Sequence, residues 1–251
     1  KQDILDLKKE LERLRQPGLP ICAKIETPQA VENIDDILPE VAAIMVARGD
    51  LAVEASLEMV PILQRELIKK AIAQGKPVIV ATQMLDSMER SPTATRAEAS
   101  DINTAVSQGA DAVMLSGETS TGEYPVVAVQ TMARIARTAE EHNDSFAYAS
   151  MATEVKTKET SEVITLAASF AAERLEDVKA QVVFTKSGSA ALRMVREEKQ
   201  KRRGLLIPII AITPEEPTAR YLNLVRGVYP VLVSHEPLDL DDFEEYAFSA
   251  A

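Results

Sequence analysis

The strongest constraint in the sequence is a short apolar run followed by a helical pattern, which occurs four times in the first part of the chain. The apolar runs are residues 21–25, 43–46, 78–81 and 112–115. Short, uninterrupted apolar runs are typical of parallel strands that are buried on both faces. Strands that alternate with helices predict right-handed βαβ units and a parallel sheet. Four such units form either half of an eight-unit barrel or a small open sheet, and the spacing of the runs suits both.

The helices around these strands carry recognisable start signals. Apolar residues at three- and four-residue steps over residues 4–14 predict a helix before the first strand. Thr27 followed by Pro28 is a cap with proline at the first helical position. Thr95 and Glu98 have the spacing of a capping box, and Pro125 opens a helix that runs to about residue 140. Each predicted strand is therefore followed by its own helix.

A polar segment without periodicity, residues 143–159, predicts a linker between two domains. We expect a first α/β domain at residues 1–145 and a second, incomplete α/β domain at residues 146–251. Thr160 or Ser161 is expected to cap the first helix of the second domain. The elements predicted there are helices at 160–175, 189–198 and 217–224, strands at 182–185, 207–213 and 228–233, and the start of a helix at 238–246.

Composition narrows the class of protein. Hydrophobic residues make up 46% and charged residues 27% of the chain, which is typical of a globular protein. A net charge of −11 disfavours nucleic acid as a partner. Cys22 is the single cysteine, so no disulfide forms within the chain and a reducing compartment is the natural interpretation. No apolar stretch is long enough to span a membrane, and we expect a cytoplasmic protein.

Charged residues follow the first two strands directly. Lys24 and Glu26 lie on one face of the first strand's end, and Asp50 follows the second strand after Gly49. Functional sites of parallel α/β proteins lie at the carboxyl ends of the strands. Two carboxylates there suit Mg²⁺ or Mn²⁺, and Lys24 supplies a positive charge for a phosphoryl group or an enolate oxygen. A structural ion pair between Lys24 and Glu26, with Asp50 only capping a helix, is the alternative.

Hydroxyl groups follow the third and fourth strands. Thr82 and Ser116 would lie at the same edge as the charged residues, where each could bind substrate or serve only as a turn or cap residue. From the residue types alone, the sequence predicts a magnesium-assisted site for a small anionic substrate that reacts through an oxyanion or a phosphoryl intermediate.

Five strings of the sequence stand out together: ICAKIE from residue 21, MVARGDL from 45, GKPVIVATQML from 75, TRAE from 95 and VMLSGET from 113. In this order and spacing they resemble the pyruvate kinase family. The resemblance covers residues 1–142, weakens at 185–190 and returns at 220–233. It implies the C-terminal half of a TIM (β/α)8 barrel, followed by a partial three-layer α/β C-terminal domain.

The resemblance also implies a role for each matching residue. Lys24 is similar to the lysine that assists phosphoryl transfer and stabilises the enolate. Glu26 and Asp50 are similar to the ligands of the divalent metal. The backbone of Gly49 and Asp50, with the hydroxyl of Thr82, is similar to the cradle for the substrate's carboxylate.

Two further positions complete the resemblance. Ser116 matches a serine proposed to help protonate enolpyruvate, and Arg48 matches a residue with a structural or interfacial role. The implied reaction moves a phosphoryl group from phosphoenolpyruvate to ADP and gives pyruvate and ATP. The family also uses K⁺, whose ligands are not expected in this chain, and is usually a homotetramer.

The sequence departs from the family pattern in several respects. The four earlier strand–helix units, the lid domain and the last strands of the regulatory domain are not recognised, so we expect a fragment that is inactive alone. Ala52 replaces the family's usual glycine, which is expected to change the turn slightly. Some relatives bind a sugar-phosphate activator at a loop that corresponds to Thr185, Lys186, Ser187 and Ser189. A plain helix cap is the alternative for this loop.

Two other functions remain open at this point. One is a magnesium-dependent lyase or aldolase that acts through a pyruvate enolate, because such enzymes also place a glutamate and an aspartate at neighbouring strand ends. The other is a non-catalytic regulatory paralogue that keeps the metal site and lacks nucleotide binding.

Overall fold

The structure is a computed structural model that describes residues 1–142, 159–201 and 206–233. The chain divides into two compact units, Lys1–Ser145 and Phe146–Ala251. Each unit contains one parallel sheet within its described residues. The predicted linker at 143–159 falls outside the described residues except at its last position, and the predicted helix at 238–246 falls outside them entirely.

The first unit is built on a parallel sheet in which neighbouring strands in sequence are neighbours in space, in the order β1-β2-β3-β4. The strands are β1 Cys22–Ile25, β2 Ala43–Ala47, β3 Val78–Ala81 and β4 Ala112–Met114. The helices are α1 Gln2–Arg13, α2 Pro28–Glu32, α3 Ile34–Ile37, α4 Arg48–Glu54, α5 Val60–Ala73, α6 Arg96–Ser107, α7 Gly117–Ser120 and α8 Pro125–Glu141. Short 3₁₀ turns occupy Leu38–Glu40, Leu57–Met59 and Asp86–Glu89.

The second unit has a parallel sheet in the order β5-β6-β7. Its strands are β5 Gln181–Phe184, β6 Ile209–Thr213 and β7 Val228–Leu232, and its helices are α9 Thr160–Arg174, α10 Ser189–Lys201 and α11 Glu216–Leu222. One face of this sheet packs on α10 and α11 through buried apolar side chains that include Met194, Ile209 and Leu222. Its cohesion is therefore hydrophobic.

The strands and helices of both units confirm the predicted order, with boundary shifts of one or two residues for most elements. The predicted single helix after β1 is instead α2 and α3, which meet at Asn33, whose side chain donates to Gln29 O at 2.7 Å. The cap of α9 is Glu159, so the expectation of Thr160 or Ser161 is wrong. Ala52 lies within α4 and does not have a positive φ. An ordinary L residue therefore fits where the family usually has glycine.

The two faces of the first sheet differ in burial. Val46 and Val80 are paired in register and fully buried, and α5 packs against the two strands that carry them. Lys24, Met45 and Ile79 form the adjacent row on the opposite face, where Lys24 is exposed and the other two are half-buried. The expectation of strands buried on both faces is therefore wrong for β1, which alternates, and for β4, which is half-buried throughout.

The predicted capping box is present, and it also anchors the loop that follows β3. The Glu98 carboxylate accepts from Thr95 N at 2.7 Å, as the capping box requires, and Thr95 Oγ1 accepts from Glu98 N at 3.2 Å. The same carboxylate accepts from Ser87 N and Ser87 Oγ, both at 2.7 Å. Glu98 therefore holds the 3₁₀ turn Asp86–Glu89 against the first turn of α6.

We predict that Glu98→Gln lowers the free energy of unfolding at pH 7 by about 1 kcal/mol, because an amide has one acceptor oxygen for the Ser87 and Thr95 donors that the two carboxylate oxygens now serve. Partial burial acts to raise the pKa of Glu98, but the hydrogen bonds from Ser87 and Thr95 outweigh it and leave the pKa below its ordinary value. Because the pKa is lower in the folded state, this contribution is present above the ordinary pKa and is lost as pH falls through the folded value. Urea unfolding at several pH values should therefore show the difference shrinking in acid.

The matched control is Glu12→Gln on the exposed side of α1, which is expected to change stability by less than about 0.5 kcal/mol. A Glu98→Gln effect that stays constant from pH 7 to pH 3 would contradict the prediction.

Candidate active site at the carboxyl ends of the strands

The parallel register brings the ends of β1 to β4 to one edge of the sheet. Ile25 pairs with Val46, and Ala47 pairs with Ala81. Ala81 in turn pairs with Met114. The residues that follow these strands therefore lie side by side, and they include the predicted Glu26, Asp50, Thr82 and Ser116.

Lys24 lies between the two predicted metal-binding carboxylates. Its Nζ contacts Glu26 Oε2 and donates to Asp50 Oδ2 at 2.9 Å. The side chains of Lys24, Glu26 and Asp50 are 50%, 38% and 58% exposed. An ion pair that is this exposed contributes little to stability. The ion pair between Lys24 and Glu26 that the structural alternative requires is therefore present. Because the three side chains are exposed, a gain in stability does not explain why these charges lie together.

The charges of this group reinforce one another. The Glu26 carboxylate, followed by that of Asp50, raises the pKa of Lys24 above its ordinary value. The hydrogen bond from Lys24 lowers the pKa of Asp50. At neutral pH the site therefore presents one ammonium and at least one carboxylate in the forms that bind oxyanions and cations.

The donor set fits a divalent cation that is shared with a substrate. Glu26 and Asp50 both reach the same ammonium, so their oxygens can converge on one small volume, and Glu26 Oε2 is enclosed. Mg²⁺ is commonly held by one or two carboxylates, with waters and substrate oxygens completing its shell. Within the described ranges, no three His, Cys, Asp or Glu side chains cluster so as to hold a metal ion by themselves.

Thr82 and Gly49 meet across the ends of β3 and β2. Thr82 Oγ1 accepts from Gly49 N at 2.8 Å and donates to Ala81 O at 2.6 Å. Thr82 and Gln83 have φ values of 72° and 52°, in the left-handed region that residues other than glycine seldom adopt. The predicted carboxylate-binding groups are thus adjacent, and the Gly49 N–H is paired with the threonine hydroxyl.

Ser116 lies at the end of β4, where a buried carboxylate holds its backbone. Glu118 is 2% exposed, and its Oε2 accepts from Ser116 N at 2.8 Å. Its Oε1 accepts from Leu85 N at 3.0 Å, in the loop after β3. Sequence analysis did not assign a role to Glu118. The available signal was a glutamate beside a predicted site serine, but its long-range partner cannot be read from the local sequence.

A cavity of about 460 Å³ opens beside β1 and includes both Lys24 and Glu26 in its lining. Ile4 and Leu7 of α1 line another part of its wall. The two charged groups therefore face a space large enough for a small molecule.

The loop predicted to bind an effector lies in the second unit, between β5 and α10. Gly188 N donates to Thr185 Oγ1 at 2.9 Å, and Ser187 Oγ donates to Ser189 Oγ at 3.1 Å. Lys186 O accepts from Thr218 Oγ1 at 2.6 Å. These bonds order the loop at the start of a helix, which is compatible with both a phosphate site and a plain cap.

The helices of the described ranges do not combine the length and apolar character needed to cross a bilayer.

The fold and the site define a parallel α/β protein whose charged residues gather at the strand ends, as in metal-assisted enzymes of that class.

Comparison with known proteins identifies the family. Residues 1–129 match the family described as "Pyruvate kinase, barrel domain", and residues 162–251 match "Pyruvate kinase, alpha/beta domain". The chain belongs to the pyruvate kinase family. Its first unit is accordingly part of a (β/α)8 barrel, and its second unit is part of the C-terminal α/β domain.

Curated relatives support the same assignment. The chain is 48% identical over 231 residues to a pyruvate kinase of Staphylococcus haemolyticus, covering 92% of this chain and 38% of that protein. It is 45% identical over 231 residues to a pyruvate kinase of Clostridium acetobutylicum, covering 92% of this chain and 47% of the relative. It is 46% identical over 239 residues to a pyruvate kinase of Geobacillus stearothermophilus, covering 93% of this chain and 38% of that protein. The chain thus spans less than half the length of these relatives.

We predict that Glu118→Gln destabilises the fold by about 1–3 kcal/mol, because an amide has one acceptor oxygen for two backbone N–H groups. Its NH₂ group would face either Leu85 N or Ser116 N, and that buried donor would be left unpaired. Urea unfolding measures the loss. Glu123→Gln, at an exposed position nearby, is the control and is expected to be nearly neutral. Equal effects of the two substitutions would contradict the assigned role.

Proposed function

We propose that this chain supplies the second half of the catalytic barrel and most of the C-terminal domain of a pyruvate kinase. The reaction transfers a phosphoryl group from phosphoenolpyruvate to ADP, giving pyruvate and ATP in glycolysis. The observation that carries the proposal is Lys24 Nζ set between the carboxylates of Glu26 and Asp50, beside an open cavity. Membership of the pyruvate kinase family supports the choice of substrates.

The phosphoryl group leaves the enol oxygen of phosphoenolpyruvate and bonds to a terminal phosphate oxygen of ADP. The Lys24 ammonium stabilises the negative charge on the group in transit and then on the enolate oxygen left behind. Glu26 and Asp50 would hold Mg²⁺ or Mn²⁺, which supplies positive charge to the phosphoryl and enolate oxygens when bound. Lys24 is suited to this role because its neighbours keep it protonated.

The remaining residues orient the substrate and complete the reaction. The backbone N–H groups of Gly49 and Asp50, with the Thr82 hydroxyl, bind the substrate's carboxylate. To admit that carboxylate, Gly49 N must exchange its bond to Thr82 Oγ1 for one to the substrate. Ser116 takes part in delivering a proton to the methylene carbon of enolpyruvate, which yields pyruvate.

The family resemblance supports several further elements of the proposal. These are a K⁺ requirement with ligands outside this chain, a cytoplasmic location, a homotetramer, and a sugar-phosphate effector at Thr185, Lys186, Ser187 and Ser189. Pyruvate release from a 2-keto-hydroxy acid without ADP would instead support the lyase or aldolase. Native protein that binds metal but does not turn over phosphoenolpyruvate would support the non-catalytic paralogue.

We predict that Glu26→Gln or Asp50→Asn lowers kcat/KM of the native protein for phosphoenolpyruvate by at least about a hundredfold, because each removes a metal-binding oxygen. Mn²⁺ binding, followed by electron paramagnetic resonance, should weaken in parallel. Because both side chains are partly exposed, circular dichroism and the melting temperature should stay close to those of the wild type.

The control is Glu54→Gln, an exposed carboxylate on α4, which should keep wild-type turnover and Mn²⁺ affinity. Near-normal turnover in either site variant would refute the metal assignment.

We predict that the isolated 251-residue chain does not convert phosphoenolpyruvate and ADP to pyruvate and ATP. The intact mass of the polypeptide from its native source accompanies this assay. A mass near 50 kDa or above, as expected for a multidomain enzyme of this kind, would support assigning the roles to a longer protein. A mass near 27.4 kDa together with turnover would overturn the prediction, and the same mass without turnover would favour a non-catalytic role.

A further inference from the structure

The Arg48 side chain is buried although it lies one residue from the site. It is 6% exposed, at the start of α4, directly after β2. A guanidinium cannot lose its charge in a protein, so its burial is tolerated only where partners replace water. The partners of Arg48 therefore indicate what the residue does.

Arg48 donates most of its hydrogen bonds to the turn after β3. Thr82 O accepts from Arg48 Nη2 at 2.7 Å and from Nε at 3.2 Å, and Gln83 O accepts from Nη2 at 3.0 Å. Nη1 donates to Asp101 Oδ2 of α6 at 2.5 Å. The guanidinium thus joins two consecutive carbonyls of one turn to a carboxylate on a helix.

The two carbonyls belong to the residues with left-handed backbone, Thr82 and Gln83. Such conformations are unfavourable for residues other than glycine, particularly for a β-branched one, and they persist where the surroundings over-determine them. Arg48 supplies that constraint, because a planar guanidinium holds both carbonyls in a fixed relation.

The turn at Thr82 and Gln83 also sets the position of the Thr82 hydroxyl. Its Oγ1 lies 2.8 Å from the N–H of Gly49, the residue that follows Arg48 in the chain. Arg48 therefore constrains both sides of the carboxylate cradle. It is bonded directly to Gly49 in the chain, and its hydrogen bonds hold the turn that carries the Thr82 hydroxyl.

We propose that Arg48 is a positioning residue for substrate binding. It clamps the turn Thr82–Gln83 so that the Thr82 hydroxyl and the Gly49 N–H stay in register to receive a carboxylate. The inference rests on the proposed function, since it concerns the same cradle. It assigns to Arg48 a role in affinity rather than in the chemical step.

The first test is Arg48→Lys in the native protein. Lysine keeps the charge but not the planar fork, so the turn should relax. The carboxylate keeps its bonds and its charge through the reaction, so we expect the cradle to bind it about equally in the ground state and in the transition state. We therefore expect KM for phosphoenolpyruvate to rise about tenfold with kcat within about twofold. A role in folding alone would lower the amount of active enzyme and leave KM unchanged.

The second test asks whether the effect passes through the turn. Glycine adopts positive φ readily, so Gln83→Gly should favour the turn even without the clamp. In the Arg48→Lys background it should therefore lower the raised KM most of the way back to the wild-type value. Arg220→Lys, at an exposed arginine in the second unit that pairs with Glu216, is the matched control and should leave KM unchanged. Wild-type KM in Arg48→Lys overturns the proposal, as does a raised KM that Gln83→Gly does not lower.

Two measurements keep the inference testable if Arg48→Lys folds poorly or the protein lacks kinase activity. Asp101→Asn weakens the anchor of Arg48 at a partly exposed position and should raise KM in the same direction, by less than Arg48→Lys. Hydrogen exchange of a peptide spanning residues 78–85, followed by mass spectrometry, should be faster in either variant without any turnover being needed. Unchanged exchange overturns the clamp, whereas faster exchange in a protein that does not use phosphoenolpyruvate sustains the clamp and refutes the kinase assignment.

Discussion

The parallel register of β1 to β4 is the constraint on which the rest of the site depends. Each strand contributes few residues and, apart from Lys24 within β1, the site residues lie in the first three positions after a strand ends. Because the pairing sets Ala47 level with Ala81 and Ala81 level with Met114, those positions form one row. A shift of one residue in any pair would turn the alternate side chains to the other face of the sheet. Buried apolar side chains such as Val46 and Val80 prevent that shift, so the hydrophobic face of the sheet positions the polar edge.

One charged residue links each neighbouring pair of strand ends. Lys24 links β1 to β2 through Asp50, and Arg48 links β2 to β3 through Thr82 O. Glu118 links β4 to the loop after β3 through Leu85 N. In each case a polar side chain of one strand end is paired with a group at the neighbouring end, so polar contacts tie the loops together alongside buried side chains such as Met84 and Leu85. Loops positioned in this way suit binding and catalysis, because a rigid framework supports them.

The sequence allowed the fold to be predicted far better than these links. Strands and helices follow from local signals, such as the apolar run before Lys24 or the Thr95–Glu98 capping box, and the structure places them close to their expected bounds. The grouping of Lys24, Glu26 and Asp50 also follows, because parallel strands must bring their carboxyl ends together. The left-handed turn at Thr82 could not be anticipated, since threonine disfavours it and the partner that imposes it is 34 residues away in the chain. The same limit applies to Glu118, whose partner in the loop after β3 is 33 residues distant.

The contacts that Lys24, Arg48 and Glu118 make between strand ends differ in solvent exposure, and this difference separates exchangeable contacts from fixed ones. Arg48 and Glu118 are almost fully buried, so their hydrogen bonds are scarcely screened by salt, and breaking them leaves a buried group unpaired. The Lys24–Asp50 pair is about half exposed, so water and ions compete for it at little cost. A weak, accessible pair can exchange partners readily, whereas a strong, enclosed one holds a backbone turn in place. The edge of this sheet contains both kinds: Lys24 of the exposed pair lines the cavity, whereas Arg48 and Glu118 are buried.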